Sequence, residues 1–179
     1  MKKFMILISM LVLNFGIVFS QTKSEVDSLL TEIAKTKNSK DIIKTIQAKR
    51  IETFGEKSLI TLAEFFTDLT LTNIKSECNN RNLTKGEIAI IIADKIESMP
   101  YYTLTQIQNC TLTFCENNPN LIEYYFSTNN SLNNKIFKER YVKWLFSNDR
   151  LKRVKGKERK QRKRILKEWK KTIRQELIE

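Results

Sequence analysis

The chain has 179 residues, of which 32 are Lys or Arg, 20 are Asp or Glu and none is His, so its formal net charge is +12. Without histidine it lacks the commonest general base and the commonest transition-metal ligand, and any catalysis would fall to carboxylate, Tyr, Lys or thiol groups. No catalytic or cofactor motif stands out. The sequence therefore predicts neither a metal site nor a bound cofactor.

The first twenty residues have the pattern of a secretory signal peptide. Lys2 and Lys3 precede an apolar run over residues 4–19, and Ser20 supplies a small residue before the expected cut. The alternative is an uncleaved membrane anchor. A helix of about 16 residues, however, spans only about 24 Å, which is short of the hydrocarbon core of about 30 Å. We therefore expect cleavage after Ser20 and a secreted or periplasmic mature protein.

Beyond residue 20, the net positive charge of the chain comes from its C-terminal part. Residues 21–149 hold 16 basic and 16 acidic residues, whereas residues 150–174 hold fourteen Lys or Arg and only two acids. Such a regional imbalance indicates one local anionic partner. The chain is thus predicted to comprise a signal peptide (1–20), a domain (21–149) and a basic tail (150–179).

The domain is predicted to be helical. Only four glycines and two prolines occur in the chain, and apolar residues recur at spacings of three and four. This pattern predicts an all-α fold, a small helical bundle of about six to seven helices with a basic C-terminal helical extension. Ser24, with Asp27 three residues later, predicts the start of the first helix. A second helix is predicted from about Lys40 to Gly55, with its inward face formed by Ile42, Ile43, Ile46 and Ile51.

Further start and stop signals divide the rest of the domain. Ser58 predicts a long helix that ends near Cys78 and turns Leu59, Leu62, Ala63, Phe66, Leu69 and Ile74 to the core. A capping box at Thr84 and Glu87 precedes an apolar run that predicts the most buried helix, which Pro100 ends. Other helices are predicted over residues 101–116, after Asn118 and Pro119, and around residues 136–145.

Three cysteines remain after signal cleavage, and an oxidising compartment would favour one disulfide bond. Cys110 and Cys115 are five residues apart, about 140° around a helix, so they cannot bond to each other within a regular helix. The order of the helices favours a bond between Cys78 and Cys115, with Cys110 free. Three buried, reduced thiols are the alternative.

Three carboxylates lie on the predicted central helix. Glu87, Asp94 and Glu97 share roughly one face, and two carboxylates on one face could perform acid and base chemistry on a glycan. We favour a structural interpretation, in which Glu87 closes the capping box while Asp94 and Glu97 form a solvated edge. No residue is therefore assigned as catalytic.

The basic tail has two halves. Residues 155–164 contain no large apolar residue, whereas Ile165, Leu166, Trp169, Ile173 and Leu177 recur at helical spacing and predict a basic amphipathic helix. The residues predicted to contact an anionic partner are Arg150, Lys152, Arg153, Lys155, Lys157, Arg159, Lys160, Arg162, Lys163, Arg164, Lys167, Trp169, Lys170, Lys171 and Arg174.

Several partners fit such a tail. Its apolar side could dock on the domain and leave the cations solvated, or sink into a membrane interface that carries anionic lipid. Nucleic acid would satisfy the same charges but is scarce outside the cytoplasm. Anionic wall polymers and acidic proteins use the same electrostatics and are not separated from lipid by the sequence.

The sequence thus predicts an exported, non-enzymatic binding protein whose basic C-terminal helix contacts an anionic membrane surface, wall polymer or acidic protein. One alternative is an inhibitor or immunity-type protein that acts by protein contact. The other is a carboxylate-based glycan or cell-wall hydrolase.

Overall fold

The computed structural model describes residues 17–107, 118–127 and 134–176, and it describes side chains over residues 23–107, 118–126 and 134–171. These ranges are mostly helical, with one small two-stranded sheet, which confirms the predicted all-α class. Among the residues described, no helix is long and apolar enough to cross a membrane.

The elements follow one another closely along the chain. The helices are α1 (Ile17–Ile33), α2 (Ile46–Thr53), α3 (Ser58–Phe65), α4 (Lys85–Ile96), α5 (Tyr101–Thr105), α6 (Leu121–Ser127), α7 (Asn134–Leu145), α8 (Asn148–Lys152) and α9 (Gly156–Glu176). Two 3-10 turns, Ser39–Lys44 and Gly55–Lys57, lie before α2 and α3. Strands β1 (Leu71–Lys75) and β2 (Asn82–Thr84) pair antiparallel, with Leu71 opposite Thr84.

Helix α4 forms the centre of the core, as its apolar run predicts. The Thr84 hydroxyl accepts a hydrogen bond from the backbone N–H of Glu87, and the Glu87 carboxylate accepts one from the backbone N–H of Thr84, so the capping box is present. Residues 88–93 are each at most 2% exposed. They pack against α1, α2, α3 and α6, so the helix is surrounded by others on several sides.

The predicted continuous helix from Ser58 to Cys78 is wrong. Helix α3 ends at Phe65, and the Asp68 carboxylate then accepts a hydrogen bond from the backbone N–H of Thr70, in a turn that competes with helix. The next residues form β1, which carries Thr72 and Ile74 on its buried side. Leu69, predicted to face the core, is 70% exposed. β-branched residues at alternating positions explain why a strand replaces the helix here.

Two predicted helix starts are also displaced. Helix α1 already includes Ile17, so Ser24 lies inside it, and nothing between the two residues would break a helix. The expected cut after Ser20 falls within α1 and stays a prediction. Helix α2 begins after Thr45, whose hydroxyl accepts a hydrogen bond from the N–H of Ala48, and this start leaves Ile46 81% exposed rather than inward.

The helix predicted over residues 101–116 is described only at its beginning. Helix α5 ends at Thr105, and Gln106 follows in the left-handed conformation with a φ of 61°. Cys110 and Cys115 lie in residues 108–117, outside the described ranges. Cys78 is disulfide-bonded, so which of the two cysteines is its partner stays a prediction.

Gly86 provides a test of how closely α4 packs against the end of α3. A Cβ at this position would lie 2.6 Å from the carbonyl oxygen of Phe66 and 2.8 Å from that of Asp68, and neither backbone atom can turn away. Gly86→Ala should therefore lower the free energy of unfolding by about 2–3 kcal/mol, measured by urea titration. Gly55→Ala is the matched control, because its added Cβ meets nothing within 4 Å. That control should lose only about 1 kcal/mol, from its positive φ; equal losses would contradict the packing argument.

Candidate anion-binding surfaces

The basic tail forms helix α9, and one side of this helix is packed into the protein. Ile165, Leu166 and Trp169 are 3%, 7% and 3% exposed and belong to the same core as α4 and α7. The Trp169 ring meets the Phe146 ring edge-on, with 5.8 Å between centroids. These apolar side chains are occupied by the body and do not face a membrane interface.

Arg150 lies against the Trp169 ring of this packed side and is fully buried. Its Nε donates to both carboxylate oxygens of Glu97 at 3.1 and 3.0 Å, and its Nη2 donates to Glu56 at 3.2 Å. The guanidinium carbon also lies 5.8 Å from the Trp144 ring centroid and 5.7 Å from that of Trp169. The side chain thus joins two carboxylates and two indole rings.

Arg162 enters the same cluster from α9. It is 4% exposed, and its Nε donates to Glu56 at 3.0 Å while its Nη1 donates to the main-chain oxygen of Arg150 at 3.1 Å. Arg162 Nη1 also lies 3.0 Å from a carboxylate oxygen of Glu97. Two guanidinium groups therefore face two carboxylates, and we call these four residues the buried ion network.

These positions correct the predicted anion-binding set. Arg150, Arg162 and Trp169 do not face solvent, so an external partner cannot reach them without opening the core. The physical reason is that a charge removed from water requires an opposite charge, and Glu56 and Glu97 supply it inside the protein. The three residues hold α9 in place instead.

The other cations of the tail lie on the outside. Those on α9 are exposed, and we call them the cationic face: Lys157, Arg159, Lys160, Lys163, Arg164, Lys167, Lys170 and Lys171. Glu158 and Glu168 are the acids on this stretch. From Lys157 to Lys171 the helix rises about 21 Å. Lys152, Arg153 and Lys155 are exposed just before it, and the side chain of Arg174 lies outside the described part.

A second basic feature lies where α5, α7 and the start of α8 meet. It is a cleft of about 340 Å³, which we call the basic cleft, lined by Pro100, Thr103, Arg140, Lys143, Trp144, Ser147, Asp149 and Arg153. Of these residues, Thr103, Lys143, Asp149 and Arg153 are exposed, whereas Trp144 is buried. Three cations therefore share this cleft with one carboxylate.

Main-chain carbonyl groups hold both arginines of the cleft. Arg140 Nη1 donates to the carbonyl of Leu104 at 3.0 Å, and Arg153 Nη1 donates to that of Ser98 at 3.2 Å. Arg153 also lies over the Trp144 ring, 5.4 Å from its centroid. A carbonyl group orients a guanidinium without cancelling its charge, so both arginines are held in place while keeping a full positive charge.

Sequence reasoning missed Arg140 and Lys143 as candidates for anion binding. They lie three residues apart on α7 and so share a side of the helix, which is a signal that a search for paired cations could use. Their approach to Arg153 depends on how α7 and α8 pack, and no local pattern encodes it. The same is true of Glu56 and Glu97, the acidic partners in the buried ion network.

Two of the three carboxylates considered for acid and base chemistry are engaged in ion pairs. Glu87 pairs with Arg81 in addition to capping α4, and this hydrogen bond is the main cause of a raised Arg81 pKa. Glu97 holds Arg150. Both arrangements agree with a structural interpretation, although Glu97 faces a buried arginine rather than the solvated edge that we expected.

Asp94, the third carboxylate, accepts hydrogen bonds from the backbone N–H of Met99 and the hydroxyl of Tyr101, each at 2.8 Å. Burial raises the pKa of Asp94 above its usual value, and these two hydrogen bonds offset only part of the effect. The pKa of Tyr101 is raised as well, first by burial and then by the Asp94 charge. Asp94 thus connects the end of α4 to the first residue of α5.

A further buried carboxylate, Glu123, was not singled out in the sequence. It is fully buried and accepts hydrogen bonds from the Ser39 hydroxyl at 2.9 Å, the backbone N–H of Glu77 at 3.1 Å, and the side chains of Ser76 and Asn118. These donors satisfy a carboxylate that burial would otherwise penalise. Across the described ranges, no three carboxylate or cysteine residues come together in a group that could hold a metal ion.

Arg150 should be essential to stability. Arg150→Met should lower the free energy of unfolding by about 3 kcal/mol in urea titrations, because Arg162 alone would then face the two partly buried carboxylates of Glu56 and Glu97. Lys152→Met is the matched control, since the Lys152 side chain is 73% exposed, and it should change stability by less than about 0.5 kcal/mol. Adding Glu97→Gln to Arg150→Met should recover part of the loss. Similar losses in Arg150→Met and Lys152→Met would contradict this role.

Asp94 should make stability depend on pH. Since its folded pKa is raised above the ordinary value of 3.8, its stabilising contribution is fully present below that value and is lost as the pH rises through the folded pKa. Asp94→Asn removes this titration. Relative to the wild type, the variant should therefore gain stability between about pH 3 and pH 7, as followed by urea unfolding across the series. A difference that stays constant with pH would show that Asp94 is not perturbed.

The comparisons with known proteins give no relative from which a function could be transferred. No protein-family model, no curated protein and no solved structure matches the chain. Two basic surfaces of the described part of the protein, the cationic face of α9 and the basic cleft, are its candidate binding sites.

Proposed function

We propose that this is an exported, non-enzymatic binding protein that presents the cationic face of α9 to an extended anionic surface, either lipid headgroups or a wall polymer. The supporting observation is the division of α9 into two sides. Ile165, Leu166 and Trp169 are buried with Arg162, while eight cations project from the rest of the helix. A helix anchored in this way keeps its charges on the outside.

The anchoring favours binding because the helix does not have to order itself on contact. A tail that folds only on the partner loses conformational entropy at that moment, whereas α9 is already held by its apolar side and by Arg162. Each Lys or Arg close to an anionic lipid surface contributes about 1 kcal/mol. Several cations along about 21 Å of helix are therefore enough for measurable affinity.

The same packing defines the mode of contact. An amphipathic helix that lies in a membrane interface sinks its apolar side among the acyl chains, but on α9 that side is occupied. We propose a superficial, electrostatic contact instead. Exposed charges are screened over about 10 Å at 0.1 M salt and about 3 Å at 1 M, so this contact should weaken steeply with salt.

The proposal is tested by removing charge from the outer side of α9 alone. The variant Lys160→Gln, Lys163→Gln, Lys167→Gln and Lys171→Gln, called here the α9 variant, should lose at least about tenfold in affinity for anionic vesicles at about 0.05 M salt. Co-sedimentation measures this loss, with neutral vesicles and a soluble polyanion as further probes, on the protein without residues 1–20. Tryptophan emission should not shift on binding, because Trp169 is already buried.

The control removes four charges from the body. Lys37→Gln, Lys44→Gln, Lys49→Gln and Lys57→Gln change exposed lysines and give the same net charge as the α9 variant. Their affinity should stay within about twofold of the wild type if position rather than total charge decides binding. Equal losses in both variants, or no binding by the wild type to vesicles or polyanion at low salt, would overturn the proposal.

A further inference from the structure

We propose that the basic cleft is a discrete site for a phosphate monoester on a small hydroxylated molecule. This site is distinct from the cationic face, because its lining comes from α5, α7 and α8 and the turns beside them, and includes no residue of α9. It differs in kind as well. The cationic face is a row of solvated charges, whereas the cleft is a concave space with fixed walls.

The cations of the cleft differ from those that pair closely with carboxylates, as Arg81 does with Glu87 and Lys85 with Asp27. In the cleft the two guanidinium groups are held by carbonyl oxygens, and Lys143 forms no ion pair within the part of the chain that the structure describes. Uncompensated positive charge in a shaped space favours an anionic ligand.

The donors present suit a phosphate group in particular. A guanidinium offers N–H groups in a rigid fork that matches two phosphate oxygens, and Arg140 and Arg153 are each already hydrogen-bonded to a carbonyl group. Lys143 adds an exposed ammonium. The Ser147 oxygen already accepts a hydrogen bond from the backbone N–H of Arg150 at 3.1 Å, and the hydroxyl hydrogen can still donate to a ligand. A tetrahedral dianion has enough oxygen atoms to use all of these donors.

The remaining lining indicates what carries the phosphate. Asp149 is the one carboxylate of the cleft and can accept a hydrogen bond from a ligand hydroxyl, and the Thr103 hydroxyl can do the same or donate. Pro100 and Trp144 add apolar surface. A volume of about 340 Å³ lies at the small end of the range of about 300–1,000 Å³ typical of ligand pockets. These features select a small phosphorylated polyol or sugar rather than a large nucleotide.

The site is tested by NMR titration with inorganic phosphate and with glycerol phosphate. Both should bind with saturation at one site, and glycerol phosphate should bind more tightly because Asp149 and Thr103 engage its hydroxyl groups. Lys143→Gln and Arg153→Gln should each weaken binding by about tenfold or more, as expected for loss of a charge-assisted hydrogen bond. Lys138→Gln, on the same helix but outside the cleft lining, should stay within about twofold of the wild type.

Two further comparisons distinguish a lipid phosphate from a soluble one, and the basic cleft from the cationic face. Vesicles whose lipids carry a phosphate monoester are compared with soluble glycerol phosphate, and a loss on Lys143→Gln in either arm supports a phosphate site. The α9 variant should bind glycerol phosphate as the wild type does. The proposal for the cleft can therefore hold when the proposal for the cationic face is overturned, and the proposal for the cationic face can hold when that for the cleft is overturned. No saturable binding of glycerol phosphate below about 10 mM together with no Lys143-dependent binding to these vesicles, or equal losses in Lys138→Gln and Lys143→Gln, would overturn the proposal.

Discussion

The pairing of Arg150 and Arg162 with Glu97 and Glu56 determines where the C-terminal helix lies. Replacing a buried ion pair with apolar residues is often neutral or stabilising, so the charges alone do not explain why α9 docks. Apolar burial of Ile165, Leu166 and Trp169 supplies the driving force, at about 1.5–3 kcal/mol for each fully buried large side chain. The ion network adds register, because Arg162 is the guanidinium of α9 that meets Glu56.

This arrangement gives similar residues opposite roles according to the groups that they meet. Inside, two guanidinium groups face two carboxylates, and their charges are balanced. On the outer side of α9 and in the basic cleft, cations meet water or main-chain carbonyl groups and stay unbalanced. Net charge alone does not distinguish these roles, whereas the distance from each cation to the nearest carboxylate does.

Local signals account for what the sequence predicted well. The central helix α4 was predictable because a capping box and an apolar run both lie within about a dozen residues. The strand β1 was missed because helical spacing continued past Phe65, although Asp68 and the β-branched residues that follow already favoured a turn and a strand. Glu56 and Arg162 lie 106 residues apart, and no periodicity connects them. A run of cations therefore looked uniformly exposed, although two of its members are buried.

The Trp144 indole connects the buried ion network to the basic cleft. Arg150 of the buried ion network and Arg153 of the basic cleft both lie against this ring, at 5.8 and 5.4 Å from its centroid. Because Trp144 and Arg150 are both buried, this ring cannot move far without disturbing the core. The network that positions α9 therefore also fixes one wall of the cleft. An anion bound to Arg153 would neutralise a like charge close to Arg150, so binding in the cleft should reinforce the docking of α9 rather than compete with it.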